Sequence, residues 1–417
     1  MLYHLFSYLD THINLPGIGV FRFISFRAGM AMIFSLLIAL VFGELFINYL
    51  RSKQIKETVR TLGLTGEEKK QGTPTMGGLI ILSAIIIPTL LLAQLQNIYI
   101  LLMLLVTVGL GAIGFIDDYI KVFRNNKAGL AAKTKLIGQC VIGCIVGATM
   151  YFHPDIRVRE DITHTPEIAM KNEVGRKVIQ VDDGKRLIMD YKAPVTTIPF
   201  IKNSELNYDR LLGYVNSGWS AYGFLFYIPF ITLIIMFISN GANLTDGMDG
   251  LATGISAIIG ITIGLFTYLS GNYITAEYLN ILYLPDTGEL AVFVAAFIGA
   301  CIGFLFYNAF PASVFMGDTG SLAIGGIIAS LAIIIRKELL LPVICGVFII
   351  ENLSVMMQVS YFKYTKNKFG EGRRIFLMSP LHHHFHKKGM HEAKIVVRFW
   401  IVGILLAVLT FLTLKLR

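Results

Sequence analysis

Ten apolar stretches of close to twenty residues run through this chain. They fall at about 25–48, 76–96, 98–116, 135–152, 221–239, 251–270, 290–308, 319–335, 339–362 and 395–414. A helix of roughly 20 residues crosses about 30 Å of hydrocarbon. Lipid offers no partner to a backbone N–H or C=O, so isolated strands cannot cross it. The sequence therefore predicts an all-α polytopic membrane protein with about ten transmembrane helices. Composition agrees: 15% of the 417 residues are charged and 55% hydrophobic, whereas a soluble domain carries about 25% charge. The first run is too long, and starts too late, for a cleaved signal peptide.

Counting spans puts alternate gaps on one side. Gaps 51–75, 117–134 and 363–394, with Lys135 and Arg398 at adjoining span ends, hold 20 Lys and Arg; the short opposite gaps and both termini hold 6. The positive-inside rule places the basic gaps in the cytoplasm and both termini outside the cytoplasm. The net charge of +9 sits in loops flanking spans. It reads as a topology signal or as attraction to anionic lipid and phosphate, not as a nucleic-acid surface. The chain is expected to be one membrane domain over 1–417, with residues 153–212 an extracytoplasmic insertion between spans 4 and 5. In that insertion two β-prone runs flank Asp183-Gly184 within 177–189, which predicts a small outer hairpin. Cys140, Cys144, Cys301 and Cys345 lie inside apolar runs without CxxC spacing and read as small core residues.

Five polar patches share the predicted cytoplasmic face: Lys69-Lys70, Asp117-Asp118, Asn240 to Gly250, Gly317-Asp318 and His382 to His386. Ionisable groups are costly near a bilayer and persist mainly where they work. Adjacent carboxylates such as Asp117 and Asp118 repel in low dielectric, which suits a metal ligand or a base; the bland alternative is a solvated helix end. Asn243, Asp246 and Asp249 recur at threes, so a helical turn would put them on one face. Their spacing does not match a calcium loop. Asp318 opens a span, as a helix cap or as a ligand, and Phe315 before it could stack on a base. Three consecutive histidines point in different directions, and only His382 and His386 have the spacing of a helical metal pair. Among Arg373, Arg374, Lys387 and Lys388 they fit phosphate better than zinc. Lys69 and Lys70 make a second anion site. Glu351 lies inside the ninth span, where an ionised acid must face the bundle interior or stay protonated, and Gln358 follows two turns later. Carboxylates and cations gathered at a membrane boundary suit an Mg²⁺-dependent enzyme moving a phosphate-linked group from a soluble donor to a lipid.

The segments KKQGTPTMGG (69–78), GFIDDYIKV (114–122), KAGLAAKTK (127–135), NLTDGMDGLATG (243–254), FYNAFPASVFMGDTGSL (306–322) and EGRRIFLMSPLHHHFHKKGMHEAKIVVRFW (371–400) together resemble the phospho-N-acetylmuramoyl-pentapeptide-transferase family. This is a branch of the polyprenyl-phosphate N-acetylhexosamine-1-phosphate transferases. The resemblance runs from about residue 20 to the end, apart from the insertion. It implies a multi-pass protein of the bacterial cytoplasmic membrane with its active site on the cytoplasmic face. The implied reaction joins UDP-N-acetylmuramoyl-pentapeptide to undecaprenyl phosphate with Mg²⁺, giving lipid I and UMP, the first membrane step of peptidoglycan synthesis. Carried over by motif, Asp318 is the Mg²⁺ ligand and Asp117 and Asp118 are the catalytic pair. Lys133 and Lys70 lie near the phosphates. Asn243 and Asp246 belong to the nucleoside pocket, with Phe315 on uracil. Thr75, Asp249, Asn308 and Gln358 line the same cleft, and His382, His383 and His384 approach the diphosphate. A homodimer is also implied.

Two mechanisms remain open within that resemblance: direct attack by the lipid phosphate, or a covalent phosphosugar on an aspartate. Direct attack is favoured, since the lipid phosphate is already anionic and needs only positioning. The nearest rival reading is a sister enzyme moving N-acetylglucosamine-1-phosphate, against which the PLHHHFHKKG stretch argues. A proton-coupled transporter would place its acids near the midplane and pair broken helices.

Overall fold

The computed structural model of the chain describes residues 2–13, 18–52, 72–124, 126, 128–161, 177–181, 186–199, 201, 205–213 and 221–414. Its helices, in chain order, are α1 (Leu2–Ile13), α2 (Ile24–Ser52), α3 (Gly78–Leu92), α4 (Ile98–Phe123), α5 (Ala132–Phe152), α6 (Tyr208–Gly213), α7 (Phe224–Thr245), α8 (Leu251–Ser270), α9 (Tyr273–Leu279), α10 (Leu290–Asn308), α11 (Gly317–Ile334), α12 (Leu341–Ile344), α13 (Gly346–Phe369), α14 (Leu381–Lys387) and α15 (Glu392–Leu412). Among the described residues, eight helices are long and apolar enough to cross a membrane: α2, α4, α5, α7, α8, α10, α11 and α15.

The other two expected spans take other forms. The second is only the 15-residue α3, about 22 Å at 1.5 Å per residue. Residues 73–76 before it are not helical; there Pro74 accepts the Phe315 N–H from the segment preceding α11. The ninth is broken at Cys345: the helical stretch Glu338–Ile344 and α13 meet at 81°. Pro342 belongs at the start of a helix, and it opens the short α12. Cys345 leaves helical geometry with φ −99° and ψ 22°, and α13 starts afresh at Gly346. The sequence reading also contained no counterpart of α1.

Helix α11 is the hub. Its 18-residue span is 89% buried, and α4 and α7 pack along it. Its small residues permit the approach: a Cβ on Gly325 would meet the Cα of Ser239 in α7 at 2.6 Å. Membrane helices pack through such small-residue contacts because lipid supplies no hydrophobic drive between them. Cys301 and Cys345 are buried as expected, whereas Cys140 and Cys144 lie on an exposed face of α5.

Strands β1 (Val158–Asp161), β2 (Lys177–Val181) and β3 (Arg186–Tyr191) form a sheet in the order β1-β3-β2, and β4 (Val195–Thr197) pairs with β5 (Glu205–Asn207). The β2–β3 pairing is antiparallel from Lys177↔Asp190 to Val181↔Arg186, as the flanking runs predicted; the turn at 182–185 lies outside the described residues. This small β unit is fixed to the turn after α11. The Thr196 and Thr197 hydroxyls donate to the Arg336 carbonyl at 3.2 Å, Lys337 Nζ donates to Thr197 Oγ1 at 3.0 Å, and the Tyr208 hydroxyl donates to Glu338 at 2.9 Å. Asp318 stands at the other end of α11, about 25 Å away at 1.5 Å per residue.

Candidate active site

Asp118 organises the start of α11. Asn97 caps α4 by accepting the Tyr99 N–H at 2.9 Å, and the apolar run ends where the two aspartates begin. Both are buried, at 0% and 3% exposure. Asp118 accepts the Asp318 N–H at 3.1 Å, the Thr319 N–H at 2.9 Å and the Thr319 hydroxyl at 2.6 Å. These are orphan donors of a helix N-terminus, so the cap comes from α4 across the bundle. Asp318, for which a capping role was open, is capped rather than capping. Gly317 has φ +74°, and a Cβ there would crowd the Asp118 carboxylate at 2.6 Å. A left-handed backbone and close approach both call for glycine.

Asp117, Asp118 and Asp318 bring one carboxylate oxygen each to within 4.8 Å of one another. Two lysines lie between them. Lys121 Nζ is 2.6 Å from Asp117 Oδ2 and 3.4 Å from Asp318 Oδ2; Lys135 Nζ is 2.8 Å from Asp117 Oδ1 and 2.5 Å from Asp318 Oδ2. The Leu130 N–H adds a 2.6 Å bond to Asp117 Oδ1. Lys133, expected near the phosphates, is exposed on the first turn of α5; Lys135, two residues on, reaches the carboxylates. Lys121 was also overlooked, although its i+4 spacing from Asp117 was a usable signal. Three oxygen donors in a buried pocket have the chemistry of a site for a hard divalent cation.

Close packing holds this geometry. The Phe315 N–H donates to Pro74 at 2.8 Å, and Gly77 and Gly78 donate to Phe315 and Met316 at 2.9 and 2.8 Å. This ladder ties the 73–78 segment, with buried Thr75, to the start of α11 and leaves Phe315 half-buried beside it. In α4, Gly114 meets α11 so closely that a Cβ would overlap the Asp318 carbonyl. Gly114→Ala is expected to cost about 1–3 kcal/mol by overpacking. It should also push the first turn of α11 off Asp118, read as a lower Tm together with lost turnover.

Asn243, Asp246 and Asp249 do not share a helical face. Helix α7 ends at Thr245, Asp246 follows as its C-cap, and the chain turns through Gly250 at φ +76°. The glycines that permit this turn override the spacing argument. Asn243 donates to Ser321 of α11 at 3.0 Å. Asp249 accepts the Ala312 N–H at 3.0 Å, and its own N–H donates to Glu392 at 2.9 Å. Asn308 accepts from the Gly250 N–H and the Thr253 hydroxyl, and donates to the Val314 carbonyl. Asp249 and Asn308 thus brace the loop between α10 and α11 against the turn.

Gln358 performs a similar task in α13, accepting the Ile375 and Phe376 N–H groups at 3.0 Å each. The histidines lie on α14, with His382 and His386 buried and His383 and His384 half-buried. Desolvation and the Lys388 ammonium hold the His384 pKa below the ordinary imidazole range. The neutral ring accepts the Leu377 N–H on Nδ1 at 3.1 Å. Gly247 packs against His382, and a Cβ there would overlap the imidazole, so α14 and the aspartate turn are in contact. Lys69 and Lys70 lie outside the described residues.

Two comparisons give the class. Residues 178–336 match Glycosyl transferase family 4, and residues 70–82 match phospho-N-acetylmuramoyl-pentapeptide-transferase signature 1. With the membrane helices, they define a multi-pass membrane protein of the phosphoglycosyl transferase class. Curated relatives named phospho-N-acetylmuramoyl-pentapeptide-transferase are 58% identical in Flavobacterium psychrophilum, 54% in Flavobacterium johnsoniae and 53% in Amoebophilus asiaticus, each with 100% of both chains covered. The chain belongs to the phospho-N-acetylmuramoyl-pentapeptide-transferase family.

Proposed function

We propose that the chain transfers phospho-N-acetylmuramoyl-pentapeptide from its UDP-linked donor to undecaprenyl phosphate, giving lipid I and UMP. The site faces the cytoplasm in the bacterial cytoplasmic membrane, and residues 153–212 form an extracytoplasmic insertion in a single transferase domain. The observation that carries this reading is the convergence of Asp117, Asp118 and Asp318 with Lys121 and Lys135. Such a cluster is suited to two phosphates that must meet although both are anionic.

An oxygen of the lipid phosphate attacks the donor's β-phosphorus, the bond from that phosphorus to the bridging oxygen breaks, and UMP leaves with the electron pair. Phosphoryl transfer of this kind depends mostly on positioning and charge neutralisation. Asp117 is the carboxylate placed to take a proton from the lipid phosphate, since Asp118 is engaged by the α11 N-terminus. Lys135 and Lys121 offset negative charge as the phosphates approach. Asp318, with Asp117 beside it, would hold Mg²⁺. When bound, that ion neutralises the donor diphosphate. The α7–α8 turn and Phe315 receive the nucleoside, and His383 and His384 face the diphosphate side. Asn308, Asp249 and Gln358 act by holding loops in place.

The test is UMP release by purified protein in detergent, comparing UDP-N-acetylmuramoyl-pentapeptide with UDP-N-acetylglucosamine. Turnover of the first alone, lost in EDTA, is expected; turnover of the second alone would move the chain to the sister activity. Within the cluster, Lys135→Ala is expected to lower kcat about 10²–10³-fold, the scale of losing one charge-stabilising donor. Lys133→Ala should lower it less than tenfold, and the reverse order would return the phosphate role to Lys133.

A further inference from the structure

Glu351 is absent from the chemistry above, yet it is fully buried in α13. A carboxylate there must be paired, because an unpaired buried charge costs several kcal/mol. Its partner is the first histidine of α14. Glu351 Oε2 lies 3.2 Å from His382 Nδ1, and the two carboxylate oxygens accept the His382 backbone N–H at 3.2 and 3.4 Å. Both side chains are 0% exposed. The other side of the imidazole lies against Gly247 of the α7–α8 turn, with the His383 ring centroid 4.2 Å away. Neither ring nitrogen has a hydrogen-bond partner among the described residues: Nδ1 lies close to the carboxylate as an ion-pair contact without hydrogen-bond alignment, and Nε2 faces away from it. An unsatisfied buried nitrogen costs about 1–3 kcal/mol, a cost that a structural histidine would have no reason to keep.

We infer that Glu351 is a positioning residue that acts through His382. The carboxylate holds His382 by its backbone N–H and by its charge 3.2 Å from Nδ1, and so keeps Nε2 against Gly247 of the α7–α8 turn. The proton of a neutral ring resides on the nitrogen beside the carboxylate, which leaves Nε2 to accept a hydrogen bond from the hexosamine part of the donor when it wedges between α14 and the turn. An N-acylated sugar phosphate offers hydroxyl and amide N–H donors for that purpose. Carboxylates orient metal-bound and catalytic histidines by the same contact. The inference rests on the donor site proposed above.

The experiment measures kcat and donor KM for wild type, Glu351→Gln, Glu351→Asp, His382→Gln and the Glu351→Gln/His382→Gln double variant, with thermal unfolding of each in detergent. Glu351→Gln is expected to lower kcat/KM for the donor about 10–100-fold, the usual cost of losing an orienting partner, with KM for the lipid phosphate unchanged. The double variant should be no worse than His382→Gln alone, since residues acting as a unit are non-additive. Additive losses, or a folded Glu351→Gln with wild-type kinetics, would overturn the inference. If Glu351→Gln does not fold, Glu351→Asp decides: a loss of donor kcat/KM supports the role, and unchanged kinetics removes it. A wild-type protein that releases no UMP would instead defeat the function on which the inference rests.

Discussion

Asp318→Ala is expected to abolish UMP release at every Mg²⁺ concentration, a loss of about 10³-fold or more in kcat, at or beyond the upper end for losing one electrostatic stabiliser. The side chain is 17% exposed, between Lys121 and Lys135, so it is the member of the acid cluster most open to an incoming diphosphate. Its removal takes away the cation ligand proposed above. It also leaves two ammonium groups to close on Asp117, where they would compete with any divalent ion. Raising Mg²⁺ cannot restore a missing ligand, which separates this variant from one that only weakens binding. The Asp318 backbone N–H still donates to Asp118 in the alanine protein, so the cap on α11 survives and the fold should hold. A folded Asp318→Ala protein with more than a tenth of wild-type turnover would remove Asp318 from the metal role.

The spans were legible because about twenty apolar residues in a row admit few other structures. Their interruptions were not. Hydropathy cannot see that Pro74, Gly77 and Gly78 pair with Phe315 and Met316, since that ladder is made of backbone groups belonging to segments far apart in sequence. Nor does it register an 81° break at Cys345 inside an unbroken apolar run. The aspartates could be read from their cost near lipid, and the structure brings Asp117, Asp118 and Asp318 together as the patches suggested. That Lys135 reaches the carboxylates depends on the phase of α5 relative to α4 and α11, which a single sequence does not contain. The threefold spacing of Asn243, Asp246 and Asp249 misled for a local reason: α7 ends at Thr245, before the second and third residues, and the chain turns on through Gly250 at φ +76°. Asn308, Asp249 and Gln358, which the resemblance puts at the cleft, also tie segments together: Asp249 and Gln358 accept backbone N–H groups, and Asn308 bonds the Gly250 N–H, the Thr253 hydroxyl and the Val314 carbonyl. Residue type alone does not separate a clamp from a contact.

That distinction matters most for Asp118, where the pair could be read as one base and one helper without saying which. Both Asp118 oxygens accept bonds from the α11 N-terminus, so Asp118→Asn must set an amide N–H₂ against a backbone N–H. The expected cost is about 1–3 kcal/mol of stability for the unmet donor, seen as a lower Tm, together with a large fall in kcat as Asp318 loses its seat. Thr319→Val removes one donor and leaves the Asp118 carboxylate in place. It should reproduce part of both effects, with kcat down about tenfold, although the Thr319 hydroxyl does not ionise near neutral pH and cannot serve as the base. Asp117→Asn should behave differently. Its carboxylate faces Lys121 and Lys135 rather than a helix terminus, so kcat should fall about 10³-fold with a smaller change in Tm than Asp118→Asn. The comparison of the three variants by UMP release and thermal unfolding assigns the roles. An Asp118→Asn protein as stable as wild type but inactive, beside a nearly normal Thr319→Val, would make Asp118 the base and Asp117 the residue that holds the lysines. The proposed order follows from what each carboxylate holds: three donors meet each of them, but protonating Asp118 would release the helix terminus it caps, whereas protonating Asp117 would loosen two lysine side chains and the Leu130 N–H.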